Sequence, residues 1–502
     1  MHNYDVVIIG SGLGGLTCGA ILSKNGYKVC VLEKNKQIGG CLQTFSRDKT
    51  VFDSGVHYVG GLEPGQNLHQ IFKYLGIMDK LNIKRLDMEC FDRIAFENDP
   101  HEYKMAQGYE NFIQGLLQDF PGEEKALREY CSMLRHICDK FPLYNLRMGG
   151  FEEKESVLGI DAAEFINSLS TNRRLTEVLG ANNALYAGVE GKTPMYVHAL
   201  VLNSYIESSW KCVNGGSQIG KWLARSILEN GGTILKHQQV KRIVAEGPEV
   251  KYVETATGER YTGRNFISNV HPSNTLDMLE SDAIRQAYRS RVKALQNSNS
   301  ALMVNAVLKP GMFPHMNYNY YYHSAESVWG SHEYTDETWP GSYAMFISPE
   351  AKDHRFANAL SIMAYMNIND VAAWKDTFNT VSQADSRGED YEAFKVRKAE
   401  KLLEVVEKRF PVLRQCIKSY SVATPLSFRD YIGTHDGSMY GIMKDSQDPL
   451  RTLISPRTRL SNLFLTGQNL NMHGILGVSM SALVTSAELL DFEKLLHQIK
   501  TA

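Results

Sequence analysis

Alternating apolar and polar positions at the start of the chain predict a β-α-β unit. Residues 5–9 and 29–32 are short apolar runs of the kind that form buried strands. Between them, after a run of glycines, apolar residues recur at helical spacing from 16 to 21. The second strand ends at Glu33. This order places the first turn of the helix at the end of the first strand.

The same pattern returns later in the chain. A glycine turn at 214–216 precedes an amphipathic helical pattern, and the alternation at 234–235 and 240–244 predicts strands. Near the C-terminus, residues 462–467 predict a buried strand, which a helix follows from Gly474 through Leu490.

The segment between the first unit and its first return is mainly helical. Helices are predicted at 67–74, 110–120, 123–141 and 195–207. We therefore predict a discontinuous first domain at 1–75, 205–272 and 421–502, with a second, inserted domain at 76–204 and 273–420.

Composition and charge restrict the function. Of the 502 residues, 43% are hydrophobic and 22% are charged, which suits two soluble domains. A formal net charge of -2 leaves no basic surface for nucleic acid. The sequence shows neither an N-terminal signal nor an apolar run near the ~18 residues that span a bilayer. We expect a cytoplasmic protein, with peripheral contact at the inner face of a membrane as the alternative.

The eight cysteines contain no CxxC pair. This spacing favours buried free thiols over metal binding or redox work. We therefore predict no metal site.

The glycine run at 10–15 supplies what a bound dinucleotide needs. Gly10 permits a tight turn, Gly12 leaves the phosphates unobstructed, and Gly15 lets the helix approach the strand. The first amides of the helix then face the pyrophosphate. Glu33 is placed to accept both hydrogens of a ribose diol. The unit predicts an adenine dinucleotide, with further contacts from Leu13, Gly14 and Lys34.

Glycine-rich segments elsewhere extend this site. The pair Gly39–Gly40 closes the loop after the second strand and can run along a ligand without obstruction. The helix predicted from Gly474 has a partial positive charge at its N-terminus, which stabilises a ring that becomes anionic on reduction, as a flavin does. We expect further cofactor contacts along these segments from Val240, Gly467, Gln468, Asn469, Gly477 and Val478.

Several motifs resemble those of a known group of flavoproteins. Besides the N-terminal loop, they are Gly39-Gly40-Cys41, FDSGVHY at 52–58, ATPLSFRDY at 423–431, and the segment from LTGQN at 465 to Gly477. In these motifs the chain resembles the phytoene desaturase, carotenoid isomerase and retinol saturase superfamily. It is most similar to the all-trans-retinol 13,14-reductase branch with its bacterial relatives.

The resemblance implies FAD and an α/β fold. In that fold, a Rossmann-like FAD-binding domain with a parallel sheet carries an inserted α+β substrate domain with a mixed sheet. The resemblance also implies a long apolar tunnel for a polyene, isoprenoid or related lipid. Hydride exchange with flavin N5 at a carbon–carbon double bond is the implied chemistry. Saturation is the expected reaction, with desaturation or cis–trans isomerisation as alternatives.

The pair Gln468–Asn469 departs from many flavoproteins of this shape, which place an acid at the ribityl chain. Neutral amides still hydrogen-bond a ribityl hydroxyl, so the FAD prediction stands. The sequence shows no second glycine fingerprint for a nicotinamide cofactor. The electron source is therefore left open between NADPH, a docked reductase and a quinone.

Saturation also needs a proton donor beside the alkene. The catalytic candidates near the motifs are His57, Tyr58, Tyr431 and His473. Arg429 has two interpretations, since it either holds a lipid head group or pairs with a neighbouring acid such as Asp430.

Two other classes share this architecture. Flavin amine oxidases need an amine-guiding group that sequence alone does not locate. Prenyl-lipid carriers related to the GDP dissociation inhibitors use no flavin, and the intact glycine loop with Glu33 argues against them. The aromatic cluster at 313–323 is either strand core or tunnel lining. Residues 195–202 form either a core helix or a segment that dips into a lipid leaflet.

Overall fold

The computed structural model describes residues 2–350, 353–381 and 383–502. Two large sheets surrounded by helices confirm the predicted α/β fold. Met1 of the predicted first domain lies outside the described residues, as do residues 351, 352 and 382 of the predicted second domain.

An eight-stranded sheet collects the N-terminal unit and both of its returns. Its parallel part is ordered Thr233–Leu235, Val29–Leu32, His2–Ile9, Arg260–Ser268 and Leu463–Leu465. The antiparallel strands Glu249–Thr255 and Val240–Glu246, and then Leu279–Glu280, extend the sheet further. Helices Leu13–Lys24, Ser217–Glu229 and Gly474–Ser486 pack together beside its parallel strands. Segments far apart in sequence therefore build one sheet.

A seven-stranded mixed sheet forms the second layer, as the resemblance implies. Its order is Ile417–Ala423, Ser300–Leu308, Ala357–Met366, Ser342–Pro349, Asn319–His323, Asp92–Phe96 and Glu102–Met105. All neighbours are antiparallel except Asn319–His323 and Asp92–Phe96, which are parallel. Strand 417–423 spans the predicted domain boundary at 421, and strand 279–280 of the first sheet lies beyond the boundary predicted at 272.

Smaller elements complete the chain. Two small sheets pair Thr44–Arg47 with Thr50–Asp53, and Ser209–Cys212 with both Val59–Gly60 and Ile83–Arg85. The remaining α-helices are Asn67–Tyr74, Tyr109–Asp119, Glu124–Asp139, Glu152–Leu158, Ala162–Ser168, Arg173–Gly180, Met195–Glu207, Pro272–Met278, Gln286–Lys293, Glu389–Glu407, Leu413–Cys416, Pro425–Ile432, Pro449–Thr452 and Phe492–Lys500. Short 3-10 helices occur at Gly40–Leu42, Met78–Lys80, Pro142–Asn145, Ala181–Leu185, Val328–Gly330 and Ile368–Trp374.

The aromatic cluster contains strand Asn319–His323, which contributes both to a core and to the lining of a cavity. Side chains alternate across a strand, so successive tyrosines face opposite sides of the sheet. Tyr320 and Tyr322 pack into a core beneath helix Glu389–Glu407. Tyr321, between them, faces the other side and lines the large cavity described below.

One local expectation needs correction, and one pair of alternatives is decided. The C-terminal helix ends at Ser486 rather than Leu490, because Leu489 and Leu490 pack against the core beside the first sheet without continuing the helix. Residues 195–202 lie inside helix Met195–Glu207 and are almost wholly buried, which supports the core helix over a segment that dips into a leaflet. No helix in the described part of the chain has the length and apolar character needed to cross a bilayer.

Candidate cofactor and substrate site

One elongated cavity of about 940 Å³ runs from the N-terminal glycine loop to the second sheet. This volume is at the upper end of the range typical of ligand pockets. Glycine loops and Glu33 line one end, and the side chains of Met303, Tyr321, Phe346 and Met363 line the other. The cavity therefore joins a polar end on the first sheet to an apolar end on the second.

The N-terminal glycines allow several backbone segments to meet. Gly10 has a φ of +92°, which glycine tolerates and other residues rarely adopt. A Cβ on Gly15 would lie 2.1 Å from the Gly10 carbonyl oxygen, so only glycine lets the helix start this close to the strand. A Cβ on Gly14 would lie 3.0 Å from Gly467 Cα, which brings the C-terminal loop against the same helix.

Every predicted cofactor residue except Gly15 lines this cavity. Gly15 lies behind the loop, where it sets the spacing between strand and helix. The amides at the start of helix Leu13–Lys24 are bare of bulky side chains, because Gly12 precedes it and Gly14 and Gly15 follow Leu13. A helix N-terminus of this kind suits a pyrophosphate. The residues present therefore fit the adenine dinucleotide that the sequence predicts.

Glu33 is held in a fixed position at the polar end of the cavity. Its Oε2 accepts hydrogen bonds from the Ser11 amide at 3.0 Å and from the Ser11 hydroxyl, and its Oε1 accepts one from the Asn35 amide at 2.8 Å. Beside it, Lys34 Nζ donates to the Asp430 carbonyl at 3.1 Å. The carboxylate is therefore oriented before any ligand arrives.

The C-terminal loop approaches the cavity through a second tight turn. Gly474 has a φ of +75°, and a Cβ on Gly477 would lie 2.8 Å from the Met472 carbonyl carbon. The Asn469 side-chain oxygen accepts a hydrogen bond from the Ile442 amide at 3.0 Å. This bond orients the amide that stands where many flavoproteins of this shape have an acid. The N-terminus of helix Gly474–Ser486 thus faces the cavity.

His57 forms a flat stack at the inner end of the cavity. Its ring lies 4.0 Å from that of Phe346, at an interplanar angle of 4°. Burial, helped by the nearby Lys211 charge, lowers the pKa of His57 to about 3. The ring is therefore neutral at neutral pH and carries no imidazolium proton to supply.

Tyr58 belongs to a buried polar cluster that sequence reasoning did not find. Its hydroxyl donates to Asp92 Oδ2 at 2.9 Å and lies 2.7 Å from the Tyr321 hydroxyl. Burial raises the pKa of Tyr58 well above its usual value. No local pattern marks Asp92 as buried, because it is the first residue of strand Asp92–Phe96 and a charged residue, Arg93, follows it.

The two other catalytic candidates lie apart from this cluster. His473 Nε2 lies 3.2 Å from the Leu185 carbonyl oxygen, and burial lowers its pKa to about 4. Tyr431 lies at the outer part of the cavity, where its partly exposed hydroxyl accepts a hydrogen bond from the Val381 amide at 3.0 Å. The structure therefore does not gather the four predicted donors at one point.

Known proteins resemble this chain along nearly its whole length. Residues 8–75 match a family model described as an NAD(P)-binding Rossmann-like domain. The chain is 26% identical to an all-trans-retinol 13,14-reductase of Danio rerio, covering 98% of this chain and 86% of that protein. It is 23% identical to a chloroplastic prolycopene isomerase of Daucus carota, covering 96% of this chain and 79% of that protein.

A solved structure extends the comparison to the fold. Putrescine oxidase bound to putrescine has a TM-score of 0.65 and 13% identity, covering 97% of this chain and 99% of that one. At this identity the likeness establishes the shared fold alone. The Rossmann-like match begins at the end of the first strand and covers the glycine loop, the helix and Glu33 at the polar end of the cavity.

Proposed function

We propose that the protein is an FAD-dependent oxidoreductase. It acts on carbon–carbon double bonds of an apolar polyene, isoprenoid or related lipid. The proposal starts from the similarity to these proteins, which confirms the predicted resemblance to the phytoene desaturase, carotenoid isomerase and retinol saturase superfamily. The observation that carries the proposal is the single cavity with a dinucleotide loop at one end and an apolar, aromatic end on the second sheet.

The polar end is suited to hold FAD. The loop at 10–15 would hold the pyrophosphate and Glu33 the adenosine ribose, and the N-terminus of the helix starting at Gly474 would stabilise negative charge on the reduced flavin ring. When bound and reduced, the flavin supplies a hydride. The apolar walls exclude water from the substrate and align its conjugated chain. An isolated alkene in water has neither this alignment nor the conjugation that makes it a hydride acceptor.

Saturation of a double bond is the proposed direction, with isomerisation or desaturation as the alternatives. The name of the Danio rerio relative states a reduction, and that of the Daucus carota relative states an isomerisation. We propose NADPH or a docked reductase as the electron source. An amine oxidase reaction receives no comparable support, because the likeness to putrescine oxidase concerns the fold alone.

Anaerobic photoreduction tests the proposed function. We expect the purified protein to be yellow, to bleach on illumination, and to recover its colour when a polyene such as all-trans-retinol is added. Mass spectrometry should then show a gain of two hydrogens in the lipid. A changed retention time at constant mass indicates isomerisation, and a loss of two hydrogens in a parallel sample with oxidised flavin indicates desaturation. Peroxide release with amines and no change in any polyene contradicts the proposal, as does a colourless protein that takes up no FAD.

An apolar substrate also needs a route from its membrane. We propose that the segment 146–158, at the rim of the cavity, makes peripheral contact with a lipid surface in place of 195–202. Met148 and Phe151 are 51% and 40% exposed, unusual for such large apolar side chains, and Phe151 and Lys154 also line the cavity. Exposed apolar groups beside the cavity are suited to enter a bilayer interface.

Charge at the rim should weaken vesicle binding. The double variant Met148→Glu with Phe151→Glu is expected to lower the partition onto phosphatidylcholine–phosphatidylserine vesicles at least about tenfold, because each apolar side chain loses its transfer energy. Co-sedimentation measures the bound fraction. The matched control is Met312→Glu with Leu228→Glu, which adds the same charge at exposed apolar positions outside the cavity lining. Equal loss in both double variants would reject segment 146–158 as the contact.

A further inference from the structure

A hydrogen-bonded cluster of polar side chains lies behind the wall at the apolar end of the cavity. Asp92, which is 0% exposed, accepts hydrogen bonds from Asn319 Nδ2 at 2.8 Å through Oδ1 and from Asn182 Nδ2 at 2.7 Å through Oδ2. The Tyr58 hydroxyl lies 2.9 Å from the same Oδ2 and 2.7 Å from the Tyr321 hydroxyl. Only the two tyrosines of this cluster line the cavity.

The surroundings of Asp92 favour its neutral form. Within the described chain, its hydrogen bonds come from two amides and a phenol, and no lysine or arginine forms an ion pair with it. The titratable groups that face it are the hydroxyls of Tyr58, Tyr321 and Tyr205 and the thiol of Cys90. Burial therefore raises the pKa of Asp92 to about 7.

Protonation of Asp92 decides the direction of the hydrogen bonds. When Asp92 is ionised, the one Tyr58 proton points to its carboxylate, and Tyr321 must donate to Tyr58. When Asp92 is protonated, its own proton goes to the Tyr58 oxygen, so Tyr58 can donate to Tyr321. The Tyr321 proton is then free to point into the cavity.

We propose that Asp92, Tyr58 and Tyr321 form a proton relay whose last member, Tyr321, protonates the substrate carbon. The inference rests on the proposed reduction of a conjugated double bond by a hydride from reduced flavin. Addition of the hydride to one carbon breaks the π bond and leaves its electron pair on the conjugated neighbour.

Each later bond change is accounted for by the relay. The Tyr321 O–H bond breaks as the new C–H bond forms. Tyr321 then takes the proton of Tyr58, and Tyr58 takes that of Asp92. One turnover leaves a saturated bond and an ionised Asp92, which gains a proton from solvent before the next. Tyr321 is the catalytic residue here, and Tyr58 and Asp92 position and resupply its proton.

Tyr321 is a better candidate for the proton donor than either histidine. With pKa values lowered to about 3 and about 4, His57 and His473 are neutral at neutral pH and lack the acidic imidazolium proton. His57 instead forms the flat stack on Phe346 next to Tyr321, whose ring lies 6.4 Å from that of Phe346. The histidine thus shapes the wall against which the substrate lies.

Single-turnover kinetics of the photoreduced holoenzyme with a polyene substrate test the relay between pH 5 and pH 9. The wild-type rate should fall as pH rises through about 7, since the active form carries the Asp92 proton. Asp92→Asn should be slower and lose this pH dependence, because its amide can donate a hydrogen bond but no proton. Tyr321→Phe should be at least about a hundredfold slower.

A second measurement is independent of turnover. In substrate-free protein, infrared difference spectra of wild type against Asp92→Asn should show a carboxylic acid band that disappears as pH rises through about 7. Tyr58→Phe, which breaks the chain without removing the acid, should keep that band and slow the reaction. Tyr343→Phe is the matched control, because Tyr343 is on the same sheet, outside the cavity lining, and within the described chain its hydroxyl has no partner.

The outcomes separate the relay from the proposed function. An active wild type whose pH profile is shared by Asp92→Asn overturns the relay alone, as does the absence of the acid band at pH 5. A wild type that takes up FAD but leaves every polyene unchanged overturns the proposed function and the relay with it.

Discussion

Replacement of Gly15 by alanine is expected to remove bound FAD and to destabilise the protein by about 3 kcal/mol or more. The new Cβ would lie 2.1 Å from the Gly10 carbonyl oxygen and 3.2 Å from Ile8 Cγ2. A backbone carbonyl in a tight turn cannot rotate away as a flexible side chain does. The helix must therefore shift along its axis, which displaces the amides that face the pyrophosphate.

Gly115→Ala is the matched control for this variant. Gly115 lies in helix Tyr109–Asp119, and nothing in the described chain lies within 4 Å of its ideal Cβ. Alanine there should stabilise the protein by about 0.5–1 kcal/mol, because it lowers the entropy cost of forming the helix. Urea unfolding measures both variants, and flavin absorbance after gel filtration measures retained FAD. A Gly15→Ala protein that keeps its yellow colour and its unfolding midpoint would contradict the structural role assigned to Gly15.

The N-terminal unit could be predicted because its signals are local. Residues 5–33 carry strand, turn and helix patterns within one short stretch, and each pattern has a direct physical cause. Helices Asn67–Tyr74 and Met195–Glu207 were predicted with their observed bounds for the same reason. In such segments the local preference and the global fold agree.

The second sheet shows where local signals end. It joins strands from 92–105, 300–366 and 417–423, and nothing in the sequence of one strand specifies which strand it pairs with. Asp92 and Tyr321 come together because Asn319–His323 lies parallel to Asp92–Phe96, and Tyr58 reaches them from outside this sheet. The glycine loop could be read directly from sequence, whereas the proposed relay depends on contacts between residues more than 200 positions apart.

Contacts with a distant segment decide between the two interpretations of Arg429. Its guanidinium donates to the Lys375 and Thr377 carbonyls and pairs with the wholly buried Asp430. Arg429 therefore has an acid as its partner, and it does not line the cavity. Arg387 binds the same carboxylate, and its side chain is only 5% exposed. The Asn379 amide adds a hydrogen bond to Asp430 Oδ2 at 2.8 Å.

Asp430→Ala is therefore expected to cost about 3–5 kcal/mol of folding stability, because it leaves two guanidinium groups partly or wholly buried without their counter-ion. Helix Pro425–Ile432 would lose its bonds from Arg387 and from the Asn379 amide, which loosens the helix whose residue-430 main-chain carbonyl accepts from Lys34 beside Glu33. Urea unfolding should show a much lower midpoint, and FAD affinity should fall with it. Glu229→Ala is the control, because it breaks an exposed helical pair with Arg225 that should contribute little. Equal stability of both variants would mean that Arg387 and Arg429 find solvent or another partner, and that Asp430 does not hold the rim of the cavity in place.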